Sequence, residues 1–257
     1  MSSTREPINI LVVTPCNTGA VSDVYTHSML ALQSTCSANE MVLAVMTVGH
    51  EAANIGARNI GLASFLKHSS FTHLLLCDAG TGFSPEIITR WLDFSRDLVC
   101  GAVPAPEIDW FKLATSANLD PRTVQSVALK YNVSFEDPAA IEAERSFAKV
   151  KSAPMNLCLI RRRGLEEMIS IHADRKFRLP PGLPVSDSEF CYALFERSID
   201  PETQIRQGED QTFLNRWRAS GHSVWLDLDA KLVNAHQYMF RGDVTTQFAP
   251  AIEAPKG

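Results

Sequence analysis

Between residues 8 and 102, short apolar runs alternate with stretches whose apolar residues fall at helical spacing. This alternation constrains the fold more than any other feature of the chain. Ile8–Val13 reads as a buried first strand, and Glu40–Val48, Thr72–Cys77 and Leu98–Ala102 as the strands that follow. Val21–Gln33, Ala53–Lys67 and Pro85–Phe94 read as the helices between them, the last opened by Ser84 as cap and Pro85 at its first position. Strands of this kind, joined through helices, predict an α/β fold: a mainly parallel central sheet with helices on both faces. Such sheets bind ligands beyond the carboxyl ends of their strands. The loops at Pro15, Gly49 and Asp78 all fall at that edge.

The rest is less regular. Pro104–Lys149 is broken by Pro, Asp and Ser, with a strand-like Tyr131–Phe135 and a charged stretch that reads as helical. Further on, Asn156–Ile160 and Ser223–Leu228 read as strands, Gly164–Ile171 and Glu209–Ala219 as helices. Arg175–Ser188 holds three prolines and a glycine, which predicts a mobile loop. The reading is one domain over 1–248 and a disordered Pro- and Ala-rich tail over 249–257.

Net charge is −5, and the longest basic run is Arg161-Arg162-Arg163. A protein gripping long nucleic acid through its phosphates usually carries a basic excess, so this balance argues against non-specific binding. The arginine run itself reads as a solvated end of a strand, with an anionic acceptor as the weaker reading. None of the six cysteines forms a CxxC pair, and Cys77, Cys100 and Cys158 lie in apolar runs. They read as small buried hydrophobes in a reducing compartment. Met1–Pro7 is polar, and no apolar run approaches the roughly 18 residues that span a bilayer. A cytoplasmic location is the expectation.

Candidate chemistry gathers at few positions. Asp78 ends an apolar strand and precedes Ala79-Gly80-Thr81-Gly82-Phe83, where glycines let a ligand approach the backbone. It reads as a crevice carboxylate or as a turn aspartate. Glu209-Asp210 opens a helix behind Gly208, and reads as dipole capping or as a general base. Arg58 suits a forked phosphate contact and Asn59 a base or ribose edge; both also fit a solvated helix face. His236 could bind a metal only with a carboxylate from elsewhere, and Asp78 is the candidate.

The order of these pieces resembles the GT-A glycosyltransferases related to family 2 and to the Anp1-type mannosyltransferases, a group with many bacterial and phage members. Ala57-Arg58-Asn59, Phe65-Leu66 and Thr72 through Phe83 are similar to its "ARN … FL … THLLFIDADIGF" signature. Asn156 through Arg162 is similar to "GFxLIRR". Gly208 through Phe213, with Arg216-Trp217 and Gly221 through Asp227, is similar to "SEDxxFCxRWRxxGGxIWLD". His236 and Phe240-Arg241-Gly242-Asp243 match its late His and "(F/Y)xGD". The likeness runs from about residue 8 to 243.

The resemblance implies a GT-A (Rossmann-like) fold and a nucleotide-sugar donor, often a UDP-sugar. It places Thr14 and Pro15 beside the base, Arg58 and Asn59 on the nucleotide, and Asp78 near ribose and diphosphate. Asp210, or Glu209 beside it, would be the base. Asp78 and His236 would hold Mn2+ or Mg2+. One departure stands out. The family's second acid, two residues after Asp78, is Gly80 here. Asp78 and His236 would then hold the metal with waters, or cationic side chains would replace it, or the chain would bind without turnover. The rival readings are a non-catalytic nucleotide-sugar-binding scaffold and a nucleotidyltransferase. Against the latter, Thr14 through Gly19 lacks a basic residue. The acceptor would be a glycan, a lipid-linked sugar or a modified phage DNA base.

Overall fold

The computed structural model describes residues 7–49, 56–115, 120–178 and 188–236. The first half runs β1 (Asn9–Pro15), α1 (Asp23–Ala38), β2 (Val42–Val48), α2 (Ala57–Lys67), β3 (His73–Cys77), β4 (Thr81–Gly82), α3 (Pro85–Phe94) and β5 (Leu98–Gly101). The middle holds α4 (Trp110–Thr115), α5 (Pro121–Ala128), β6 (Ala143–Glu144), β7 (Phe147–Val150), β8 (Leu157–Arg161) and α6 (Arg162–Ile171). The last part holds β9 (Ser198–Ile199), β10 (Arg206–Gln207), α7 (Glu209–Ala219), β11 (Val224–Asp227) and β12 (Val233–Asn234).

Eight strands form one sheet in the order β2-β1-β3-β8-β5-β11-β7-β6. β1 lies parallel to β2 and β3, and β5 parallel to β11. β8 is inserted antiparallel between β3 and β5, and β7 lies antiparallel to β11. The α/β class with a mainly parallel sheet is therefore the one the alternation predicts.

Period-two alternation sends each strand's side chains to opposite faces. Leu11, Val13, Leu74, Leu76, Cys158 and Ile160 join α2, α6 and α7 in one core layer. Their neighbours Ile10, Val12, Leu75, Cys77, Leu157 and Leu159 join α1 and α3 in the other. Both faces are thus covered, and the strands read as unbroken apolar runs for that reason. All six cysteines are buried, as small hydrophobes should be.

Two expectations give way in the middle. The charged stretch before Lys149 contains the hairpin β6–β7, not a helix. Phe147 anchors it by stacking on Phe94 with centroids 3.7 Å apart, and this tertiary contact overrides local helix propensity. Tyr131–Phe135 makes only an isolated bridge, Ser134 to Ser152, among the described residues. Residues 179–187 of the loop expected to be mobile, and the tail 249–257, lie outside the described residues. Among the described residues, no helix is long and apolar enough to cross a membrane.

Candidate functional site

A cavity of about 940 Å3 opens at the carboxyl end of β1, where Pro15, Arg58, Asp78, Asn156, Glu209 and Asp210 contribute to its wall. Its position follows from the sheet. Parallel β1 and β3 end at this edge, and antiparallel β8 begins there, so Asp78 just after β3 meets Asn156 just before β8.

Arg58 organises the wall. It lies in the first turn of α2 and is only 6 % exposed. α2 can press this close because residue 61 is glycine: a Cβ there would sit 2.2 Å from Val13 Cγ1. The next side chain fixes the helix from the other side. Asn59 Nδ2 donates to the Phe195 carbonyl at 2.8 Å, and the Phe195 amide donates to Asn59 Oδ1 at 2.9 Å. The Phe195 ring stacks on Phe213 of α7 at 4.2 Å and carries the Arg58 guanidinium 6.0 Å from its centroid. One residue pair therefore registers α2 against α7.

From this seat Arg58 reaches three carboxylates. Its Nη2 donates to Asp78 Oδ1 at 3.0 Å, and its Nη1 to Glu209 Oε1 at 2.8 Å and to Asp210 Oδ1. Asp78 Oδ2 accepts from Asn156 Nδ2 at 2.5 Å, and Asp210 Oδ2 from the Met155 amide at 3.2 Å. Both oxygens of Asp78 and of Asp210 are thus engaged. Glu209 is the more exposed of the helix pair, 45 % against 33 % for the side chain, and its Oε2 has no partner among the described residues.

The electrostatics follow. Burial opposes the charge on Arg58, but Asp210, Asp78 and Glu209 outweigh it and keep the guanidinium protonated. Burial raises the Asp78 carboxyl above its ordinary value; Arg58 and Asn156 pull it back, while Asp210 pushes it further up.

Of the residues singled out in the sequence, Pro15, Arg58, Asp78, Glu209 and Asp210 line the cavity, whereas Thr14, Asn59, Gly80 and His236 do not. Thr14 faces the other side of β1, where its hydroxyl lies 2.6 Å from that of Tyr25. Asn59 spends its amide on Phe195 instead of a base edge. The arginine run sits at the opposite end of β8. There Arg162 donates to the Phe65, His68 and Phe71 carbonyls, and Arg163 pairs with Asp97 at 2.7 Å. These arginines brace the fold.

The implied divalent cation finds a poor donor set. A Cβ at position 80 would stand 2.5 Å from the Ala235 carbonyl oxygen. The Ala235 amide in turn donates to the Gly80 carbonyl at 2.8 Å. β12 pairs with β4 here, so chain fills the place of an acidic side chain. His236 follows directly and is exposed. Among the described residues, no three His, Cys, Asp or Glu side chains are grouped to hold a metal. Of the implied pair, Asp78 is already bonded to Arg58 and Asn156, and any further ligands would have to come from outside these side chains.

Three contributors escaped the sequence reading. Asn156 precedes an apolar strand with nothing to mark it as a carboxylate partner. The Met155 amide carries no sequence signal at all. Arg197, also on the cavity wall, lies in a segment with no periodicity.

No family model matches the chain, and no curated protein does. Among solved structures, A197 from STIV is 15 % identical, with 92 % of this chain and 98 % of that one covered and a TM-score of 0.42. GalNAc-T7, solved with UDP, GalNAc and Mn2+, is 13 % identical, with 90 % of this chain covered and a TM-score of 0.49. The match takes in 44 % of the GalNAc-T7 chain, so this chain spans less than half its length. At these scores neither likeness says what this chain binds.

Proposed function

We propose that the protein is a GT-A glycosyltransferase, moving a sugar from a nucleotide-sugar donor, a UDP-sugar first among them, to an acceptor hydroxyl. One observation carries the reading. Asp78 and the distant Glu209-Asp210 pair converge through Arg58 on one wall of a cavity at the carboxyl edge of the sheet. Nucleotides bind at this edge in open α/β sheets.

In this scheme Asp78 accepts a hydrogen bond from the donor ribose, on lone pairs that Arg58 and Asn156 leave free. The acceptor hydroxyl attacks the sugar C1 as the bond from C1 to the diphosphate oxygen breaks. Glu209 takes the hydroxyl proton. It lines the cavity with one oxygen bonded to Arg58, whereas both Asp210 oxygens are held. Asp210 instead fixes Arg58. The acceptor is a glycan, a lipid-linked sugar or a modified nucleotide.

Calorimetric titration of UDP and of GDP into the protein and its Asp78→Ala variant tests the reading. Micromolar binding of one nucleotide, lost in the variant, supports it and names the base. No binding of either nucleotide would defeat it. Slow hydrolysis of the matching nucleotide-sugar separates an enzyme from a binding scaffold.

A further inference from the structure

The donor reading leaves a charge problem, and the inference here rests on that reading. Asp78, Glu209 and Asp210 face one buried cation, Arg58. If all four are ionised, the wall carries an excess of negative charge, and a departing diphosphate would add more. Transfer needs a further positive group aimed at that leaving group.

A divalent ion is poorly provided for. Arg58 sits on Asp78 and its positive charge opposes a second cation there, and the Ala235 backbone closes position 80 to any side chain. Arg58 cannot turn to the anion without releasing three carboxylates. Arg197 is different. It lines the same cavity, is exposed, and makes no ion pair or side-chain hydrogen bond among the described residues.

Its backbone is held on both sides. Two residues before it, Phe195 is clamped by Asn59; one residue after it, the Ser198 hydroxyl lies 2.7 Å from that of Thr212 on α7. A free guanidinium on a fixed stem can offer two parallel donors to phosphate oxygens. We propose that Arg197 binds and neutralises the donor diphosphate, and that nucleotide binding runs without a divalent metal.

The test is titration of UDP, or of GDP where that is the nucleotide bound, into the wild type, Arg197→Gln and Arg197→Lys, each in EDTA and in Mn2+. The expected result is wild-type affinity that is the same in both media. Arg197→Gln should weaken binding about tenfold or more, with partial recovery in Arg197→Lys. Because Arg197 is exposed, the variants should melt with the wild type. Unchanged binding by Arg197→Gln would overturn the proposal. So would wild-type binding that appears only with Mn2+, although the donor reading would then stand. Failure of the wild type to bind either nucleotide in either medium would overturn both.

Discussion

Asn156, the residue before β8, donates its side-chain amide to Asp78 Oδ2 at 2.5 Å. That bond and the one from Arg58 favour the charged carboxylate and so oppose the burial that raises its pKa above the ordinary value. Asn156→Ala removes one of them. Nucleotide affinity should fall about tenfold and stability by about 1 kcal/mol, read by calorimetric titration and urea denaturation.

Glu209 and Asp210 are adjacent but differently committed. Glu209→Gln should lower turnover of the nucleotide-sugar by at least about a hundredfold while nucleotide binding persists. Asp210→Asn should chiefly lower stability, by about 1–3 kcal/mol, because it weakens the seat of Arg58. The reverse pattern in paired kinetics and melting experiments would move the base to Asp210.

Asn59→Ala leaves the Phe195 amide and carbonyl without their clamp in a buried region. The cost should be about 2–4 kcal/mol. A lowered nucleotide affinity should accompany it, since Arg58 and α7 are registered through the same residue. Denaturation and titration on one preparation would show both losses.

Position 80 should reject the acid that the resemblance leads one to look for. Gly80→Asp would force its Cβ against the Ala235 carbonyl oxygen. It should destabilise the fold by about 2–4 kcal/mol and confer no Mn2+ requirement. A stable variant whose nucleotide binding becomes Mn2+-dependent would contradict this.

His73 sets an acid limit. Burial, aided by the charge of Arg161, lowers its pKa from 6.5 to about 4. Between those values the unfolded chain takes up the proton and the folded chain does not. Stability therefore falls as pH drops from about 6.5 to about 4, by on the order of 3 kcal/mol at most. Urea denaturation across that range should show the loss, and His73→Gln should flatten it.

The sequence made the scaffold legible because its strands are buried on both faces. Ile10 through Val13 and Leu74 through Cys77 advertise themselves as continuous apolar runs. The hairpin around Phe147 did not, because its place depends on Phe94 at a distance. The site was legible where charge meets a strand or helix end, as at Asp78, Arg58 and the Glu209-Asp210 pair. It was hidden where backbone or a neutral amide does the holding, as with Met155 and Asn156. Asn59 shows the opposite error: beside Arg58 it looks like part of a ligand site, yet its amide is a brace for Phe195.

The pairing of β12 with β4 also bears on the order in which the chain is made. Asp78 and its strand leave the ribosome before Glu209, and the backbone that seals position 80 follows both, with Ala235. A nascent chain would thus carry its acidic wall before the floor of the loop is covered. The loop after β3 is closed only once β12 pairs back beside Thr81 and Gly82.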